Sequence, residues 1–116
     1  MTQCNLADRK CAACNKDTKV LSEREVSEFR ALLSQDWTIG VGSFLMGRTF
    51  KFKNFKEAMK FVNKVAEIAE EENHHPDIEI YDYRNVQLSL CTHATGGGLS
   101  ENDFIVAEKI NKIVME

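Results

Sequence analysis

The feature that most constrains this chain is the stretch NFKEAMKFVNKVAEIAEEEN, residues 54–73, followed within three residues by the only proline in the sequence. Phe55, Ala58, Met59, Val62, Val65, Ala66 and Ala69 recur at helical spacing and line one face. Asn54 is suited to cap the free N–H groups of the first turn, and Glu57 stands at the third helical position. Pro76 cannot continue a helix and disfavours the helical conformation at His75. The helix must therefore end near Asn73 or His74. A helix of this length needs a partner surface for its apolar face, and the rest of the chain has to supply one.

The remaining segments do so. SEREVSEFRALL predicts a helix over residues 22–34, with Ser22 and Glu25 as a capping box and Val26, Phe29, Leu32 and Leu33 as its apolar positions. DWTIGVGSFLMGRTFKFKNF predicts a hairpin of residues 37–42 and 44–52, turned at Gly40 and Gly42. Phe44, Met46, Phe50 and Phe52 share one face at period two, and Arg48 falls on that face against the pattern. IEIYDY and VQLSLCTH predict two more strands joined near Arg84 and Asn85. In the second, Val86, Leu88 and Leu90 face one way, and Gln87, Ser89, Cys91 and His93 the other. Ser100 opens a last helix, with Asp103 as its capping partner and Val106, Ile110, Ile113 and Val114 as its buried stripe. The order is α-β-β-α-β-β-α. That is an α+β domain with an antiparallel four-stranded sheet and helices packed mainly on one face. Residues 1–20 are polar and aperiodic and read as an irregular N-terminal arm, leaving residues 21–116 as one domain.

Composition narrows the function classes. A net charge of -3 gives no basic footprint for nucleic acid or anionic lipid. No apolar run reaches the length of a membrane span, and the first twenty residues lack the order of a signal peptide. The expectation is a cytoplasmic protein. Its four cysteines, Cys4, Cys11, Cys14 and Cys91, are then expected to be reduced. Cys11 and Cys14 form a single CxxC, which falls short of a four-ligand zinc site and lacks the strand and helix of a redox motif.

The chemistry concentrates in EENHHPD, residues 71–77. The chain has three histidines, and two of them, His74 and His75, lie where the long helix must stop. His93 ends a strand, off its main apolar face. Imidazole donates and accepts protons near neutral pH. Helix carbonyls and the carboxylates of Glu70, Glu71 and Glu72 would favour its charged form. A histidine at a helix C-terminus also serves simply to complement the dipole, and Asp103 and Glu70 are equally accounted for as a cap and a solvated helix acid. Zinc is the chemical rival. Adjacent histidines suit it poorly, because neighbouring side chains diverge in both helix and strand, so no metal is expected.

The spacing of these residues resembles the pterin-4a-carbinolamine dehydratase family. That family's pattern is an acid, three residues, His-His-Pro, an aromatic, a further His and finally an Asp. This chain reads Glu70, His74-His75-Pro76, Tyr83, His93 and Asp103. RTFKFKNFKEAMKFVNKVAEIAEEENHHPD and GGLSENDFIVAEKI are also similar to family passages, and the likeness spans residues 22–115. The chain departs where many relatives carry an aromatic soon after His-His-Pro, having Ile78 and then Glu79. The resemblance implies dehydration of a 4a-hydroxytetrahydropterin to quinonoid dihydropterin, with histidines as acid and base and no metal or organic cofactor. By position, His74 and His93 would transfer protons. His75 would bind and orient the pterin and share in acid catalysis, and Glu70 and Asp103 would support the histidines. Asn73 and Thr92 complete the expected substrate contacts. The implied setting is a pathway containing an aromatic amino-acid hydroxylase, with the chain as a homo-dimer or homo-tetramer that touches neither nucleic acid nor membrane. The family also contains dimerisation cofactors of a transcription factor, so a non-catalytic oligomeric binding module is the alternative.

Overall fold

The computed structural model describes residues 6–11, 18–92 and 97–115. Helix α1 spans Glu23–Arg30, strand β1 Thr38–Ile39 and strand β2 Met46–Lys51. Helix α2 follows over Phe55–Glu72, then β3 over Asp77–Tyr81, β4 over Asn85–Leu90 and α3 over Glu101–Met115. The four strands form one antiparallel sheet in the order β1-β2-β4-β3. The expected α-β-β-α-β-β-α order and α+β class are therefore those of the protein. No helix among the described residues is long and apolar enough to cross a membrane.

One face of the sheet is the core. Met46 and Phe50 of β2 and Val86, Leu88 and Leu90 of β4 are buried, while the alternate residues Gln87 and Ser89 are only partly covered. Helix α2 lays Ala58, Phe61, Val65 and Ala69 into this core. The Phe61 ring stands 4.7 Å from that of Phe50 and 4.9 Å from that of Phe52. Truncating such a ring costs roughly 3–5 kcal/mol. Helix α3 is buried continuously over residues 102–108, and its Phe104, Ile105, Val106, Ala107 and Ile110 enter the core. Phe104 stacks on Phe29 of α1 at 5.5 Å.

Several sequence expectations are corrected in detail. The face of α2 is rotated from the one read in the sequence: Phe55 and Ala66 are exposed, and Phe61, omitted from the stripe, is buried. Helix α1 stops at Arg30, whose guanidinium donates twice to Asp36 at 2.8 Å, and the early stop leaves Leu32 exposed. The first strand has only two residues, because Gly42 and Ser43 adopt positive φ in a 3-10 turn over Val41–Ser43. Phe44 follows that turn, lies outside β2 and is exposed rather than on its inner face. The β3–β4 turn lies at residues 82–84, earlier than expected, with Asp82 and Tyr83 at φ 48° and 52°. Val114 of α3 is exposed at the helix end instead of buried.

Arg48, the exception on the inner face of β2, is held by tertiary partners. Its guanidinium lies 4.5 Å from the Phe50 ring centre and donates to Asn111 Oδ1 at 2.7 Å and to Gln35. The same Asn111 oxygen accepts the indole N–H of buried Trp37 at 2.8 Å.

The N-terminal residues also reach the core. Leu6, in a 3-10 turn over Leu6–Asp8, is buried in the main apolar cluster. Residues 6–11 run against α3 as a strap. Arg9 pairs with Glu101 at 2.7 Å, and the Cys11 thiol donates to the Asn102 carbonyl at 3.6 Å.

Candidate active site

Three elements converge where α2 ends. The helix closes in a Schellman arrangement: the His74 N–H donates to the Ala69 carbonyl and the Asn73 N–H to that of Glu70. Asn73 takes the left-handed conformation at φ 52° and ψ 43°, one of the few side chains that does so at little cost. Pro76 prevents any further turn. Backbone geometry alone thus fixes where His74 and His75 begin.

The two imidazoles diverge, as neighbours must. His74 turns inward, and its Nε2 meets Asp103 Oδ1 at 2.6 Å. Both side chains are shielded, at 6% and 0% exposure. His75 turns outward, and its Nε2 meets Glu70 Oε2 at 2.6 Å among largely exposed atoms. The two carboxylates expected to support histidines are therefore each in contact with one.

Asp103 sits in the first turn of α3 and carries a network of its own. Its Oδ2 accepts the Ser100 N–H at 2.9 Å, as a capping partner should, and the Thr92 hydroxyl at 2.8 Å. Thr92 Oγ1 also lies 2.7 Å from Ser100 Oγ. Since Thr92 gives its hydrogen to Asp103, Ser100 is the donor in that second contact. With the Ser100 N–H and the Thr92 hydroxyl both on Oδ2, the Oδ1 of Asp103 is left to the Nε2 of His74. Thr92 and Ser100 hold the carboxylate, and the carboxylate holds the ring.

The remaining expected residues distribute as follows. Asn73 has an exposed side chain at the helix end. Thr92 is fully buried, with its hydroxyl turned to Asp103. His93, Cys4 and Cys14 lie outside the described residues. Tyr83 lies in the turn at the far end of β3 from Pro76, about 15–20 Å along the strand, and so is not part of this cluster. Among the described residues no three His, Cys, Asp or Glu side chains converge as metal ligands would.

The Cys91 thiol is pushed above its usual range by burial and by the negative charges of Asp103 and Asp77. Glu72, grouped in the sequence with Glu70 and Glu71 as an acid beside the histidines, makes its own contacts with the strap and with α3. Its carboxylate is buried and accepts the Lys109 ammonium at 2.7 Å and the Cys11 N–H at 2.8 Å. Burial alone would raise its pKa, but these donors and Lys10 outweigh it and hold the group below its usual range. Sequence reasoning missed this residue, although a signal existed. Glu72 continues the buried series 58, 61, 65 and 69 at helical spacing and so stands on the core face.

Comparison with known proteins gives consistent relatives. The family model for pterin 4 alpha carbinolamine dehydratase matches residues 19–113. A protein of Alkaliphilus metalliredigens, designated by inference a pterin-4-alpha-carbinolamine dehydratase, is 40% identical over 93% of this chain and 95% of its own. The mitochondrial pterin-4-alpha-carbinolamine dehydratase 2 of Arabidopsis thaliana is 38% identical over 99% of this chain and 64% of its own. Among solved structures, a transcriptional coactivator/pterin dehydratase from Brucella melitensis superposes with a TM-score of 0.73 at 35% identity. That match covers 82% of this chain and 98% of the other.

Proposed function

This chain belongs to the pterin-4-alpha-carbinolamine dehydratase family, and from that premise we propose that it removes water from a 4a-hydroxytetrahydropterin to give quinonoid dihydropterin. The observation that carries the reading is the buried His74–Asp103 pair set beside the exposed His75–Glu70 pair at one helix end.

The reaction needs one proton delivered to the 4a-hydroxyl, which leaves as water, and one taken from a ring nitrogen. Protons balance, and no electrons are exchanged, so acid–base side chains suffice. His74 and His93 are the proposed proton-transfer residues. Asp103 keeps the His74 ring in one orientation, so that little rearrangement precedes transfer. His75 is accessible to a ligand from solvent and is proposed to bind and orient the pterin and to share in acid catalysis, with Glu70 as its partner. Asn73 is a proposed substrate contact. For Thr92 we propose support through Asp103 in place of contact with the pterin, because its side chain has no exposed surface.

Stopped-flow absorbance of freshly generated 4a-hydroxytetrahydropterin tests the reading. Fast dehydration by wild type, lost in folded His74→Ala and His93→Ala, is expected. A folded wild type that adds nothing to the uncatalysed rate would overturn it.

A second reading has one specific support, the double designation of the Brucella melitensis relative as coactivator and dehydratase. It takes the chain as an oligomeric binding module, a homo-dimer or homo-tetramer that tolerates loss of the histidines. Retention of the chain's oligomeric state in His74→Ala, together with loss of dehydration, would favour the enzyme.

A further inference from the structure

The N-terminal strap and Glu72 are used by nothing described so far, yet they lie against the same two helix ends that carry His74 and Asp103. Glu72 is the last residue of α2, two residues before His74. Its Oε2 accepts Lys109 of α3 at 2.7 Å, while Asp103 of that helix takes His74. The end of α2 is therefore tied to α3 twice, each time through a buried carboxylate.

The strap closes over this junction. Its Cys11 N–H donates to the other Glu72 oxygen at 2.8 Å, and Lys10 lies 3.6 Å from the Lys109-bound one. Lys109 stands seven residues beyond Asn102, almost on the same side of α3, and the Asn102 carbonyl takes the Cys11 thiol. Arg9 holds Glu101 at the start of α3, and Leu6 anchors the strap in the core. Residues 6–11 lie outside the stretch matched by the family model, which begins at residue 19.

We propose that Glu72, clamped by the strap and Lys109, is a positioning residue that sets the end of α2 against α3 and so holds His74 on Asp103. The inference rests on the dehydratase reading for its kinetic consequence, but its structural consequence stands apart from it. A carboxylate with an amide donor on one oxygen and an ammonium on the other cannot turn without losing one of them. Its backbone is joined to His74 through the single left-handed residue Asn73, so movement of Glu72 carries into the imidazole.

The test is Glu72→Gln in the full chain, with near-UV circular dichroism to establish folding. Two readouts are compared with wild type: kcat and KM for 4a-hydroxytetrahydropterin, and the solvent-exchange rate of the His74 Nε2 hydrogen by NMR. The proposal expects kcat to fall about tenfold with KM within about twofold, and the Nε2 hydrogen to exchange about tenfold faster. A folded variant with kcat and exchange both within about twofold of wild type overturns it. Should Glu72→Gln fail to fold, Lys109→Met removes the ammonium from the same carboxylate and is judged by the same two outcomes. If wild type dehydrates no pterin, the functional reading fails and the exchange rate alone decides the positioning role.

Discussion

The Nε2 of His74 lies 2.6 Å from Oδ1 of Asp103, joining the end of α2 to the first turn of α3 across 29 residues of sequence. Asp103 meets the ring with one oxygen while the other is occupied by Thr92 and Ser100. Asp103→Asn keeps the shape of the side chain but can turn an amide N–H toward either the ring or those donors. It is expected to lower kcat for pterin dehydration by about 10²-fold. Stopped-flow absorbance measures it, and activity within about threefold of wild type in a folded variant would show that the ring needs no carboxylate.

The exposed pair should behave differently. His75→Ala removes a contact made largely in water, so its effect on stability is small, with Tm changing by less than about 2 °C. Its effect on function is expected mainly as a higher KM for the pterin. Scanning calorimetry and steady-state kinetics on one preparation check both, and a large loss of Tm would contradict the exposed placement.

The left-handed residue that ends α2 allows a paired test. Asn73→Gly is expected to leave stability nearly unchanged, since glycine takes φ 52° freely. Asn73→Val forces a β-branched side chain into that conformation and should cost about 1–3 kcal/mol. Urea unfolding of both variants is the measurement, and equal midpoints would refute the Schellman ending.

Glu72 predicts an acid-sensitive component of stability. Its folded pKa lies below the usual value of 4.5, against the upward push of burial, because Lys109, the Cys11 amide and Lys10 favour the charged form. A group with a depressed folded value contributes stability above its unfolded pKa and loses it as pH falls through the folded one. The difference in unfolding free energy between wild type and Glu72→Gln should therefore be flat above about pH 6 and shrink steadily below about pH 4.5. Guanidinium titrations across that range check it, and a difference independent of pH would remove the carboxylate from the account.

What the sequence disclosed follows from which interactions are local. The caps at Ser22, Asn54 and Ser100 were readable because a cap and its partner lie three residues apart. The stop at Pro76 was readable for the same reason, and it placed the histidines correctly. The alternation of β4 disclosed its buried face. The sheet order β1-β2-β4-β3 was not readable, since it depends on pairing β2 with a strand beyond α2. Arg48 looked like an error in the strand pattern because Asn111, its partner, is 63 residues away. Leu6 gave no periodic signal, as a single residue in a three-residue turn has no period to show. In the site, the pairing of Glu70 with His75 is nearly local, whereas that of Asp103 with His74 rests on the resemblance and becomes geometric only in the fold.

The left-handed ending of α2 also makes the helix a counting device. Each residue turns the chain by about 100°, so one residue inserted or deleted in the last turns of α2 would swing His74 more than a quarter of a circle away from Asp103. Residues 82–84, at the opposite end of the hairpin, can lengthen without disturbing either imidazole. The chain can thus change in length at its periphery, while the length of α2 is fixed by the pair at its end, since even a whole turn would move that end by about 5.4 Å along the axis.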